Sequence, residues 1–300
     1  MPKAIEVKRW WSEQPPTFGY WGPSSSSIDW CEENYAITSY VAEFANTLSN
    51  LVFLFIAAYG IQKSKDEKLP FTFILCHLGV LLIGFGSFAF HATLRYDMQL
   101  LDELPMTYST TLLAYLAFSR SSSQTSPTNR VYDLILNMLL ILYAVLVTVI
   151  YLVWPNPTFH HTSFAVLILS TNAKVAYWIR TLPTNTAIER RHKQDIKRCE
   201  FTGFWVFLFS FGIWNIDNLF CDQLTRWKKG LGFPNSIILE LHAWWHLGTG
   251  IGTYLMILGV QLLSLNDQFG LDTYHMKWVY NGYWPYIARK ENHISKGKKS

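Results

Sequence analysis

The sequence predicts an all-α, polytopic membrane protein with seven transmembrane helices. Two observations carry that prediction. Charged residues make up only 15% of the 300 residues while aromatic residues reach 16%, and soluble domains carry about 25% charge. The few charges are also unevenly placed: Leu48 to Ile61 contains none, and Phe71 to Leu94 contains none across 24 residues. A chain this long cannot cover a globular surface with so little charge, whereas a hydrocarbon core asks for about 20 apolar residues per helix. The apolar fraction of 50% excludes intrinsic disorder, and a net charge of +4 is too small to argue for nucleic acid.

The spans are expected in order at Val41–Ile61, Phe71–Leu94, Met98–Phe118, Tyr132–Trp154, Thr162–Ile179, Phe201–Phe220 and Ile237–Leu263. The third and fifth carry charge within them: Asp102 and Glu103 in one, Lys174 in the other. The first 28 residues are polar, with Pro15, Pro16 and a four-serine run and no apolar h-region, so no cleavable signal peptide is expected and the first span acts as the insertion signal. The organisation follows as a luminal N-terminal segment 1–40, a seven-helix domain 41–263 and a basic cytosolic tail 264–300.

Seven spans put the two ends on opposite sides. Lys and Arg number 7 on the N-terminal side and 17 on the other, so the positive-inside rule places the C-terminus in the cytosol and the N-terminus in a lumen or outside. Lys296 and Lys298, fifth and third from the end, have the form of a cytosolic dilysine retrieval signal and suit endoplasmic reticulum or Golgi. A basic tail drawn to anionic lipid is the alternative. Cys31 and Cys221 both fall on the luminal side, where oxidation favours a bridge between them; two free thiols too far apart to join remain the alternative.

The chemistry lies in polar residues that a membrane should exclude. His242 and His246 are four residues apart and share one helix face. Ser87 and His91 have the same spacing near the luminal end of the second span, and Asp102 opens the third. These residues all lie within a few turns of one membrane face, and ionisable groups at that depth are costly. Three imidazoles with a fourth position open is the pattern of catalytic zinc, with Asp102 to take a proton from water and Ser87 to donate to an oxyanion or orient the water. The alternative is a polar cluster that ties three helices together. Asp29, Glu32, Glu33, Asn34 and Glu43 form a second group of oxygen donors of the kind calcium takes, although their spacing is not that of an EF-hand. On spacing alone, a capped helix start with solvated acids is the stronger reading.

Several stretches taken together resemble the alkaline ceramidases. They are Tyr-Trp-Gly-Pro and Asp-Trp-Cys-Glu-Glu-Asn-Tyr (20–35), Ala-Glu-Phe-Ala-Asn-Thr-Leu-Ser-Asn (42–50), Gly-Ser-Phe-Ala-Phe-His-Ala-Thr-Leu (86–94), Gln-Leu-Leu-Asp-Glu-Leu-Pro-Met (99–106), Trp-Asn-Ile-Asp-Asn-Leu-Phe-Cys (214–221) and His-Ala-Trp-Trp-His (242–246). The phytoceramidase type is the nearest, within a wider group of seven-span hydrolases that includes the adiponectin receptors. The resemblance implies a zinc ion held by His91, His242 and His246, with Ser87 and Asp102 catalytic. It implies a calcium ion held by Asp29, the Trp30 carbonyl, Glu32, Asn34 and Glu43, and a luminal Cys31–Cys221 disulfide. It further implies hydrolysis of a ceramide, with phytoceramide or dihydroceramide favoured, and some reverse synthesis. No obligate protein partner is implied. Competing readings are a receptor-like seven-span protein, and a transporter or bis-histidine haem carrier; the expected apolar cytosolic halves of the spans count against transport.

Overall fold

The computed structural model describes residues 19–119 and 127–290. Pro15, Pro16, Lys296 and Lys298 lie outside the described residues, as does most of the serine-rich stretch 119–126. Each predicted span overlaps a helix, although residues such as Val41, Leu94, Trp154 and Glu240 lie outside one. The helices are α1 (Phe44–Ser49) followed by α2 (Leu51–Asp66), α3 (Phe71–Thr93), α4 (Tyr96–Phe118), α5 (Pro127–Val153), α6 (Pro157–Thr181), α7 (Ala187–Leu219), α8 (Cys221–Leu231) and α9 (Leu241–Phe269).

Five helical stretches are long and apolar enough to cross a membrane: α1 with α2, α3, α5, α7 and α9. α4 and α6 are as long but more polar, because α4 carries Asp97, Asp102 and Glu103 and α6 carries His160, His161, Lys174 and Arg180. The protein is therefore a multi-helix membrane protein with five such candidate spans among the described residues. α5 shows most plainly what the outer surface meets, since Leu134, Met138, Ile141 and Val145 are all more than half exposed. A row of that kind suits lipid and not water.

α9 is the centre of the bundle. It packs against α7 most extensively and also against α1, α2, α3 and α4, and its stretch from Tyr254 to Leu265 is buried without a break. Gly203 of α7 and Gly252 of α9 let the two backbones meet: a Cβ on Gly203 would stand 2.7 Å from the Gly252 carbonyl oxygen. Helices without a hydrophobic drive between them associate through such small-residue contacts.

Three expectations change. α7 begins at Ala187 and not at Phe201, because Thr186 and Glu189 form a capping box, with Glu189 N donating to Thr186 Oγ1 at 3.1 Å and Thr186 N to Glu189 Oε2 at 2.9 Å. The basic stretch before Phe201 is thus a helical extension of α7. Residues 264–300 are not simply a tail: α9 runs on to Phe269, and β1 (Tyr274–Val279) pairs antiparallel with β2 (Trp284–Arg289) in the register Tyr274↔Arg289 to Val279↔Trp284. This hairpin is docked on the bundle. Trp284 stacks on Tyr254 at 4.9 Å, the Tyr254 hydroxyl donates to the Pro285 carbonyl, and the Arg198 guanidinium lies 3.9 Å above the Trp278 ring. Finally, the half of the bundle remote from His91 is not uniformly apolar, since His77, Glu200 and Gln261 are buried there.

Candidate active site

His91 ends α3, and His242 and His246 begin α9. Each of the three rings offers one ligand atom, these atoms all lie within 4.8 Å of one another, and all three residues are buried. The rings are held from behind. His91 Nδ1 donates to Glu43 Oε2 at 2.5 Å, and His246 Nδ1 pairs with Ser49 Oγ at 2.8 Å. A hydrogen bond at one imidazole nitrogen fixes the tautomer and leaves the other as a lone pair for a metal. His242 Nδ1 is buried with no hydrogen-bond partner, so this cluster leaves polar capacity that the protein alone does not satisfy. The donor set therefore fits a metal ion.

The residues around the cluster follow from local sequence. Pro105 has no N–H to give the Leu101 carbonyl one turn earlier in α4, and that free carbonyl faces Gly86 of α3. A Cβ on Gly86 would stand 2.1 Å from Leu101 O and 2.8 Å from Asp102 N. Glycine there lets α3 and α4 approach closely, which brings the Ser87 hydroxyl beside the Asp102 carboxyl. Ser87 lies one turn before His91 on the same buried face.

Leu94 closes α3 with a left-handed φ of 50°, and its carbonyl accepts from Ser25 N and Ser26 N, both at 3.1 Å. Ala42 N and Glu43 N donate to the Ala92 and His91 carbonyls at 2.9 Å. The N-terminal segment thus runs across the end of α3 and covers the histidines. Its Trp30 ring lies on His242, with centroids 4.3 Å apart. The Cys31–Cys221 disulfide forms, with a Cα–Cα distance of 5.4 Å, and fastens this segment to the start of α8.

The expected calcium residues sit in the same region, with their oxygens turned to several uses. Glu32 accepts Ala45 N and Asn46 N at 2.7 and 2.8 Å, capping α1; Asn34 Nδ2 donates to Asp29 Oδ1 at 3.0 Å; Trp30 N donates to Glu43 Oε1 at 3.3 Å. Asp29, Glu32, Asn34 and Glu43 are buried, whereas Glu33 is exposed. Burial pushes the Glu32 carboxyl up to about 8, and the nearby Glu240 and Glu43 carboxylates push the same way. Mutual repulsion of buried acids is what a cation would relieve.

Some residues at the site carry no sequence signal. Ser49 is one of several small polar residues between Asn46 and Asn50, and only the fold aims it at His246. Lys228 is buried beside Glu240, with Nζ 2.9 Å from Glu240 Oε2 and 2.9 Å from the Cys31 carbonyl. Asp217 is likewise buried near the start of α9, and neither of its carboxylate oxygens has a hydrogen-bond partner.

The Ceramidase family matches residues 22–288. Alkaline ceramidase 3 of Mus musculus is 38% identical over 247 residues, covering 80% of this chain and 84% of the relative. Alkaline ceramidase YPC1 of Saccharomyces cerevisiae is 31% identical over 266 residues, covering 86% of this chain and 83% of that one. The alkaline ceramidase of Arabidopsis thaliana is 27% identical over 238 residues, covering 78% and 82% respectively.

Proposed function

Because this chain belongs to the ceramidase family, we propose that it is a zinc-dependent intramembrane amidase that cleaves the amide bond of a ceramide, giving a sphingoid base and a free fatty acid. Phytoceramide and dihydroceramide are the favoured substrates. The observation that carries the reading is the convergence of His91, His242 and His246 beside the Ser87–Asp102 contact. The three histidines would hold the ion, which when bound supplies Lewis-acid charge to polarise the amide carbonyl and acidify water.

The chain's own residues do the rest. Asp102 takes the proton of the attacking water as the new C–O bond forms, and returns it to the departing amine nitrogen as the C–N bond breaks. The Ser87 hydroxyl lies beside Asp102 and, once Asp102 carries the proton of the water, turns its single O–H to the charge that develops on the carbonyl oxygen. Glu43 and Ser49 orient His91 and His246. The N-terminal segment and the Trp30 ring shut bulk water out above the histidines. Ceramide's amide sits just below the lipid headgroups, and a site one or two turns inside the bundle meets it there. The same residues run in reverse condense the two products, so some ceramide synthesis accompanies hydrolysis.

The acids of the N-terminal segment (Asp29, Glu32, Asn34 and Glu43, with the Trp30 carbonyl) form the calcium site, and calcium stimulates turnover by fixing that segment over the histidines. The chain lies in the endoplasmic reticulum or Golgi membrane, with the N-terminal segment luminal, the helical domain 41–263 in the bilayer and the docked hairpin on the cytosolic face. The deciding experiment measures lipid products from ceramide, dihydroceramide and phytoceramide with purified protein, and zinc in the same sample. Sphingoid-base release with one zinc at the histidines is expected. Turnover by a His242→Ala protein free of zinc would overturn the mechanism.

A further inference from the structure

A second group of metal-ligating side chains lies on α4 and α6, outside the histidine cluster. Glu103, His160 and His161 each offer one ligand atom, and these lie within 4.8 Å of one another. Glu103 is held firmly by one oxygen. Its Oε2 accepts the Tyr151 hydroxyl and, at 3.1 Å, Gln99 Nε2, which also reaches Ser27 Oγ at 2.8 Å. The other oxygen, Oε1, is buried with no hydrogen-bond donor and stands 3.4 Å from His161 Nε2.

His160 is fully buried and held in a similar way. Its Nε2 pairs with Thr107 Oγ1 at 3.2 Å. Nδ1 is buried and has no partner. Two polar atoms, on side chains fixed from behind and each left unsatisfied in the interior, are what a polar network avoids unless something else binds them.

We infer that Glu103, His160 and His161 form a second site for a divalent transition metal of the zinc class. Two imidazoles and one carboxylate make a mixed donor set that such ions accept with positions left open, while magnesium and calcium favour all-oxygen shells. His161 is about one-third exposed (37%) and gives the ion a way in and out, whereas the three histidines of the first site are sealed. The two sites are an aromatic layer apart: the His161 ring meets Trp214 at 6.0 Å, and Trp214 meets the Trp30 ring that covers His242 at 5.7 Å. An ion here pins α4 to α6 at the residue next to Asp102, and neutralises a carboxylate that would otherwise sit charged beside it. The second site sets how firmly Asp102 is positioned and takes no part in the bond changes.

The test is zinc stoichiometry of the full-length protein in detergent, equilibrated with zinc alone and washed, for wild type, His161→Gln, Glu103→Gln and His242→Ala. Wild type should hold two zinc ions per chain, and each of the three variants one. Mild chelation should strip the Glu103–His160–His161 ion first and lower turnover several-fold without abolishing it. His161→Gln is the main variant because that side chain is partly exposed and its loss leaves Glu103 and His160 packed. One zinc in wild type that His161→Gln retains, or two still present in His161→Gln, overturns the second site. If wild type holds a single zinc that His161→Gln loses while His242→Ala keeps it, the histidine-triad reading fails and this one stands.

Discussion

The Glu43 carboxylate and the His91 imidazole meet at 2.5 Å, and neither side chain reaches solvent. Glu43 is the residue before α1, and its other oxygen accepts the Trp30 N–H, so one carboxylate joins the N-terminal segment to a proposed metal ligand. The two expected metal sites are thereby mechanically connected. Glu43→Gln keeps the shape and removes the charge, and losing a carboxylate behind a ligating histidine lowers metal affinity by about 10–100-fold. Zinc retention during chelator titration, read beside turnover, should fall by that factor and recover when zinc is raised. Unchanged retention would refute the link.

Asp102→Asn removes the base while leaving the carboxyl's volume against Ser87. Turnover should drop about 10²–10⁴-fold, with zinc content at the histidines kept. Wild-type rates in that variant would take Asp102 out of the chemistry.

Lys228→Met strands Glu240, because the two are paired at 2.9 Å and both are buried. Removing one partner of a buried pair costs about 3–5 kcal/mol, whereas replacing both is near neutral. Thermal unfolding should show a large loss for Lys228→Met and recovery in Lys228→Met with Glu240→Gln. Equal stability of the single and double variants would contradict the pairing.

Cys31→Ser opens a bridge that closes 190 residues of chain. A loss of about 2–4 kcal/mol is expected, and reductant should give the wild-type protein the same lowered melting temperature. A melting temperature that ignores both the mutation and the reductant would rule out a structural role for the bridge.

Much of the site is legible in sequence because it is built from short-range spacings. His242 and His246, and Ser87 and His91, are one turn apart, and the helix alone decides that they share a face. The helix order then brings the pairs to one end of the bundle. Ser49, Lys228 and Glu240 were not legible, because their roles depend on where distant backbones pass, to within about one hydrogen-bond length. The hairpin and the α7 extension are a different case, since their signals are present. Tyr274, Met276 and Trp278 alternate with polar residues ahead of Asn281–Gly282, a turn pair. Thr186 and Glu189 spell a capping box. Both were masked by the basic residues around them, which read as solvent-exposed loop and tail. α4 and α6, expected as spans in spite of the charges within them, are not among the five helical stretches apolar enough to cross a membrane.

The disulfide and the histidine cluster also set an order of events in the life of the chain. His91 is made early and His242 and His246 near the end, with five helices between α3 and α9. On the proposed topology, the three histidines are not together until α9 is threaded into the bilayer, and there is nothing for Cys31 to join until Cys221 reaches the luminal side. A nascent chain therefore carries no lipid-cleaving competence while it is being inserted. Activity arrives in one step, after the last helix is home.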